Sequence, residues 1–252
     1  MSAAPAESDQ QQDGDIAGRL GGYDWAAMAD SLDAVGYAVL PRLLDSRACA
    51  AVAGLYDDDR RFRSRVVMRR HGFGSGEYKY FAAPLPTLVA ALRAAAYSRL
   101  APIADRWAAS LDRTDSPGQH FPPDLVGFLD RCAAAGQAKP TPLLLRYGPG
   151  DFNCLHQDLY GAVSFPLQLA VLLSAPGNEF AGGEFLLVEQ RPRAQSRAEV
   201  IPLDQGDAVV FAVRHRPVRG ARGTHRVTMR HGVSRVRSGE RFTLGVIFHD
   251  AA

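Results

Sequence analysis

The sequence predicts an α+β fold with helices in its first half and a jelly roll or barrel in its second. Two observations predict it. Apolar residues recur at helical spacing as far as about residue 135, and from Leu143 onward the period changes to two. The second half is also cut into short runs by the turn signals Gly148-Pro149-Gly150, Ala175-Pro176-Gly177-Asn178, Gly182-Gly183, Gln205-Gly206-Asp207 and Ser238-Gly239. About eight short strands separated this way build closed or doubled sheets rather than an open one.

Composition narrows the class. Hydrophobic residues make up 46% and charged residues 22% of 252, enough for a substantial core in one large domain. No apolar run approaches the ~20 residues of a transmembrane helix. No Lys or Arg precedes Arg19 and no apolar core follows it, so no secretory signal is read. Three widely spaced cysteines, Cys49, Cys132 and Cys154, form no disulfide framework, which predicts a reducing, cytoplasmic location without a membrane or disulfide partner.

Residues 1–18 are polar and read as a disordered tail. Trp25 to Leu32 is apolar at helical spacing, and Gly36 follows as its stop. Residues 36–41 read as a short strand, and Asp45 or Ser46 caps a helix running to Tyr56. Leu85 to Leu111 is helical, with Pro102 opening a second helix at its first turn. Residues 112–123 read as a loop and Leu125 to Ala135 as a further helix. Strands are then expected at 143–147, 152–157, 167–173, 184–188, 198–202, 207–213, 224–230 and 241–248. The organisation is thus a tail, a helical and mixed support region over 19–142, and a β-core over 143–252, integrated as one domain.

Chemistry concentrates in Arg146-Tyr147-Gly-Pro-Gly-Asp-Phe-Asn-Cys154-Leu-His156-Gln-Asp158. If this stretch is extended, His156 and Asp158 project from one face, because side chains alternate with period two. An imidazole beside a carboxylate is two thirds of a 2-His-1-carboxylate set for non-haem Fe(II). His215, His225 and His231 compete for the third place. His225 and His231 share parity, so alternation alone does not separate them. By the same parity Cys154 shares the face of His156 and is read as core packing. Downstream, Arg241 and Thr243 share a strand face, where a guanidinium fork and a hydroxyl can bind a carboxylate.

Two further stretches bear on the substrate. Gly72, Gly74 and Gly76 lie among aromatics and bases and read as a flexible loop, with Val66 to Met68 a short strand before it. The glycine spacing is not that of a phosphate loop. Arg70, Tyr78 and Lys79 are candidate substrate contacts there, and His225 is another; the alternative is an ordinary glycine-rich connection. From Arg214 to Arg241 stand nine arginines against one acid, Glu240, although the net charge is only +2. Such a block suits an anionic partner, and the alternative is a solvated region.

The ordered set His156, Asp158, His231, Arg241 and Thr243 resembles the Fe(II)/2-oxoglutarate-dependent dioxygenases, whose pattern is His-x-Asp, a distal His, and an Arg about ten residues later with Ser or Thr two beyond. The offset to Arg241 favours His231 over His225. The resemblance implies a double-stranded β-helix, a cupin-like jelly roll. It further implies Fe(II) on His156, Asp158 and His231, 2-oxoglutarate held by Arg241, Thr243 and Tyr147, and O2 as oxidant. Arg146-Tyr147-x-x-Gly resembles a segment of AlkB-type demethylases and some prolyl hydroxylases, but the further arginine of the AlkB type is here Ile247. Phe62-Arg63-Ser64-Arg65 and Phe73-Gly-Ser-Gly-Glu-Tyr-Lys-Tyr-Phe81 resemble a prokaryotic 2-oxoglutarate oxygenase family proposed to act on damaged or methylated DNA. The implied activity is oxidation of methyl groups on modified DNA bases, by N-methyl demethylation or 5-methylcytosine oxidation. A hydroxylase of a protein residue or small metabolite, and a non-enzymatic cupin-like binding module, are the alternatives.

Overall fold

A computed structural model describes residues 16–111, 120–191, 194–220 and 223–252. Residues 1–15 of the expected tail, 112–119 of the expected loop, and Arg222 of the arginine block lie outside these.

Four helices are α1 (Trp25–Val35), α2 (Ser46–Gly54), α3 (Thr87–Leu111) and α4 (Leu125–Ala134). The Asp24 carboxylate caps α1 and the Asp45 carboxylate caps α2, each accepting backbone N–H groups of the first turn. Gly36 ends α1 in the left-handed conformation, at φ 86°. A further helical segment over 16–21 buries Ile16 and Leu20, so the tail ends earlier than expected. Those two residues are four apart, which places both on one helical face.

α3 corrects the expectation of two helices divided at Pro102, because it runs unbroken through that residue. A proline inside a helix costs about 3 kcal/mol. Here Val89, Leu92, Ala96, Tyr97, Leu100, Ile103, Ala104 and Trp107 are all buried at 3–4 residue spacing on both sides of it. Burial of those side chains, at roughly 1.5–3 kcal/mol for each large one, outweighs the break.

The strands form two facing sheets. In the larger, the order is β1 (Tyr37–Leu40), β11 (Ala208–Ala212), β7 (Leu167–Leu172), β15 (Arg241–Val246), β5 (Leu143–Tyr147), β4 (Glu77–Phe81) and β2 (Phe62–Val67). In the smaller it is β10 (Arg197–Ile201), β9 (Phe185–Gln190), β13 (Gly223–Val233), β6 (Phe152–His156) and β3 (Gly74–Ser75), with β12 (His215–Gly220) also paired to β13. β8 (Phe180–Gly182) and β14 (Val236–Gly239) pair separately. The first half therefore contributes three strands to the larger sheet and one to the smaller, besides its helices. β3, β4, β8, β12 and β14 are not among the expected strands: β3, β8 and β14 are too short for alternation to register, β4 follows directly on the glycine-rich stretch, and β12 contains Pro217.

Alternation decides what each sheet face does. Leu167, Leu169 and Val171 of β7 join the helix-backed core, while Gln168 and Ala170 line the space between the sheets. On β5 and β15 the odd residues Leu143, Leu145, Tyr147, Arg241, Thr243 and Gly245 line that space, and Leu144, Leu244 and Val246 pack behind.

Gly72 to Gly76 are not an unpaired loop. Residues 68–71 make one 3-10 turn, Gly74–Ser75 pairs with β6, and Glu77 opens β4. A Cβ on Gly74 would lie 2.4 Å from the Phe152 carbonyl oxygen, so glycine here permits close backbone approach.

The arginine block divides between structural and exposed members. Arg216 is 2% exposed and ion-paired with buried Glu189, which Arg191 also contacts at 2.5 Å. Burial raises the Glu189 pKa, but hydrogen bonds from Arg216 and Arg191 outweigh it and hold it below the ordinary value. The carboxylate therefore stabilises the fold above its unfolded pKa, and that contribution is lost as pH falls through the depressed folded value. Arg216→Ala leaves Glu189 buried beside one partner instead of two, and is expected to destabilise the chain by about 3 kcal/mol in urea unfolding at neutral pH. A loss within ~0.5 kcal/mol would show the pair to be energetically idle.

Candidate metal and carboxylate site

β6 and β13 pair antiparallel with His156 directly opposite His231. The next pair is Asn153 with Val233, so three residues on β6 span what two span on β13. This β-bulge reorients the strand. It brings Asn153 and His156 to one cavity although their parity differs, and it turns Cys154 outward. Cys154 is thus exposed rather than packed in the core, because simple alternation does not survive a bulge.

The bulge also fixes the ligand histidine. His156 Nδ1 lies 2.8 Å from the Cys154 carbonyl oxygen. A carbonyl only accepts, so Nδ1 carries the hydrogen and Nε2 keeps its lone pair. His156 Nε2 stands 3.5 Å from Asp158 Oδ1, and His231 Nε2 stands 3.4 Å from Asp158 Oδ2. One donor atom from each of the three lies within 4.8 Å of the others. His231 Nδ1 is buried without a hydrogen-bond partner. Two imidazoles and one carboxylate converging on a single point suit a borderline divalent ion such as Fe(II).

Electrostatics favour the ligand forms of Asp158 and His231, while for His156 burial lowers the pKa but the Asp158 carboxylate and the Cys154 carbonyl outweigh it and raise it. Burial raises the pKa of Asp158, but the two imidazoles beside it, His156 and His231, overcome it and hold the carboxyl well below its usual range. Burial and the neighbouring His156 lower His231, keeping it neutral as a ligand must be.

Two side chains that sequence reading missed hold the carboxylate. Tyr160 donates to Asp158 Oδ1 at 2.7 Å, and Gln168 Nε2 donates to Oδ2 at 2.9 Å. Burial first, and then the Asp158 charge, push the Tyr160 pKa upward, so the phenol stays a neutral donor. Tyr160 lies two beyond Asp158 in sequence, and an aromatic there was a usable signal. Gln168 is on another strand and carried none.

Arg241, directly paired with Tyr147 across β15 and β5, lines the same cavity of ≈190 Å³. Its guanidinium donates to Thr243 Oγ1 and lies 5.6 Å from the Tyr147 ring and 5.9 Å from Phe180. It is 2% exposed, and among the described residues it forms no ion pair. Burial lowers its pKa to about 10, which still leaves it cationic at neutral pH. A buried cation without an ion pair costs several kcal/mol, and a ligand carboxylate is a group that could offset it. Gly183, at φ 64°, makes room, since a Cβ there would lie 2.7 Å from Arg241 Cδ. Asn153 Nδ2 reaches the Tyr147 hydroxyl at 3.3 Å.

Of the expected substrate contacts, only Tyr78 lines this cavity. Arg70 is exposed on the turn outside it. Lys79 points to the other sheet face, donating to Tyr56 O at 2.8 Å and Asp59 Oδ1 at 2.6 Å, and is 6% exposed; alternation along β4 sends it away from Tyr78. His225 is exposed and paired with Val218, six residues and therefore ~20 Å along the strand from His231. Both corrections follow from strand geometry that residue type alone does not reveal.

A family model described as "Oxygenase, catalysing oxidative methylation of damaged DNA" matches residues 76–251. The chain belongs to this oxygenase family. The oxygenase is 48% identical over 194 residues to an uncharacterised protein of Mycobacterium tuberculosis, covering 77% of this chain and 79% of the relative. Its fold is like that of an oxidoreductase of the 2OG-Fe(II) oxygenase family from Burkholderia pseudomallei, at TM-score 0.51 and 16% identity over 92% of this chain and 93% of that one. A prolyl 4-hydroxylase of Phytophthora capsici matches at TM-score 0.50 and 15% identity, over 92% of this chain and 63% of that one. The fold is accordingly the double-stranded β-helix, and the residues of the oxygenase fit Fe(II), 2-oxoglutarate and dioxygen as its cofactor set. No helix among its described residues is long and apolar enough to cross a membrane.

Tyr160→Phe removes one of two donors to the ligand carboxylate. Affinity for Fe(II), or for Mn(II) as a redox-inert substitute, is expected to fall roughly 10- to 100-fold by calorimetry while the thermal midpoint stays close to wild type. An unchanged affinity would show that Gln168 alone positions Asp158.

Proposed function

We propose that this enzyme oxidises methyl or related alkyl groups on modified bases in DNA, using Fe(II) and 2-oxoglutarate. The observation that carries the reading is one cavity with the three-residue metal set and the unpaired Arg241 together on its wall. The family description supports DNA as substrate.

His156, Asp158 and His231 would hold the metal, and Arg241, Thr243 and Tyr147 the distal carboxylate of 2-oxoglutarate. When bound, Fe(II) couples oxidative decarboxylation of 2-oxoglutarate to insertion of one dioxygen atom into a substrate C–H bond. The chain's own work is to position and to exclude water. Leu145, Phe185, Phe211 and Val233 give the cavity apolar walls, so the charged groups act at low dielectric. Gln157 lies between the ligands, and its amide donates to Met229 O at 2.8 Å, tying the segment after β6 to β13. Hydroxylation of an N-methyl base gives a hemiaminal that loses formaldehyde, whereas 5-methylcytosine gives a stable hydroxymethyl group.

Succinate release, screened against methylated oligonucleotides with mass spectrometry of the bases, tests the reading. Methylated DNA is expected to stimulate turnover and to lose or oxidise its methyl group. Turnover without any stimulation by DNA would move the substrate to a protein residue or small metabolite. His156→Ala and Asp158→Ala are expected to abolish succinate release, and Arg241→Met to raise the KM for 2-oxoglutarate roughly tenfold or more, the worth of one charge-assisted hydrogen bond. Full succinate release by either ligand variant would end the assignment of the metal site.

A further inference from the structure

Phe73 is the large aromatic most exposed to solvent among the described residues, at 48%, yet it also lines the cavity that holds the metal set. Its backbone is fastened on both sides. Phe73 N–H donates to Met68 O at 3.2 Å, and its carbonyl accepts from Cys154 N–H at 2.9 Å. The second bond ties it to the bulge that orients His156. The His71 ring lies against its ring, with centroids 5.3 Å apart and planes 22° from parallel. Arg69 and Arg70 are exposed on the same turn, and the Arg69 guanidinium is steadied by Ser75 Oγ at 3.2 Å. Leu155 and Leu159, neighbours of the two metal ligands on β6 and just after it, are 41% and 37% exposed.

A lone exposed aromatic is ordinary. A rigidly held one at a cavity mouth, stacked from one side and open on the other, beside cations and two exposed leucines, is a stacking platform with a phosphate-binding edge. Two of the three metal ligands are less than 10% exposed, so a base inside a duplex does not reach them. We infer that Phe73 stacks on the base adjoining the target in a single-stranded DNA segment, with Arg69 and Arg70 contacting its phosphates, so that the enzyme acts on unpaired strands in preference to duplex. This rests on the DNA reading above and names its strand and its contact residue.

The test is fluorescence anisotropy with a 5′-labelled single-stranded oligodeoxynucleotide and with the same strand in a fully paired duplex. The full chain, Phe73→Ala, Phe73→Trp and Arg70→Ala are compared. The wild type is expected to favour the single strand. Phe73→Ala should weaken that binding roughly tenfold or more, and Phe73→Trp should keep it. Arg70→Ala should reduce the dependence of affinity on salt, while Phe73→Ala leaves that dependence unchanged. Thermal midpoints should not move in any variant, since these side chains are largely exposed, and 2-oxoglutarate affinity should not move in Arg70→Ala, whose side chain lies outside the cavity. Wild-type affinity in Phe73→Ala would overturn the stacking role and leave the DNA reading standing. Equal or tighter binding of duplex would overturn the preference for single strands. Failure of the wild type to bind either oligonucleotide would overturn the DNA reading itself, and this inference with it.

Discussion

The antiparallel register that sets His231 opposite His156 is the constraint on which the site depends. Cross-strand partners on one face sit close enough for their side chains to touch. Here the two rings have centroids 4.2 Å apart. The pairing alone would give two histidines in a sheet. The bulge before His156 makes them a candidate ligand pair, because it frees the Cys154 carbonyl to hold Nδ1 and lets the chain leave the sheet in time for Asp158 to return toward both Nε2 atoms. Gly232 permits this closeness: a Cβ there would lie 2.7 Å from Asn153 O.

The larger sheet supplies the remaining groups by the same rule of alternation. Tyr147 and Arg241 face each other across β5 and β15, Thr243 is one repeat along, and Gln168 comes from the far side of the cavity to hold Asp158. Helix α3 and the apolar faces of β7 and β15 form the floor that keeps these strands in register. Arg241 is buried and cationic and makes no ion pair among the described residues, whereas Arg216 is equally buried but paired with Glu189. One arginine is satisfied within the fold, and the other is free to meet a ligand carboxylate, as proposed above.

Much of the site is legible in residue type and spacing. His156, Asp158, His231, Arg241 and Thr243 are polar groups at fixed offsets in an otherwise apolar, alternating region, and such groups stand out because burying them without purpose is expensive. Tyr147 is marked by the residues around it. Tyr160 is marked only by its place two beyond Asp158, and Gln168 is not marked at all, since it touches Asp158 from another strand and no spacing rule covers that. Lys79 and His225 mislead because a base near a candidate site carries no indication of which sheet face it occupies.

The sequence by itself marked most of the helices and the main strands of the second half, the candidate metal and carboxylate groups, and the offset that favours His231. These depend on local periodicity and on residue type, both of which are written along the chain. Only the tertiary structure decided that Pro102 is tolerated, that Cys154 faces solvent, that the glycine-aromatic segment is a pinned strand edge, and which arginines are paired. Each of these turns on a contact between residues far apart in sequence: packing against the sheet, a bulge set by a partner strand, backbone abutting backbone, or a carboxylate on a neighbouring strand. Such contacts exist only once the chain has closed on itself.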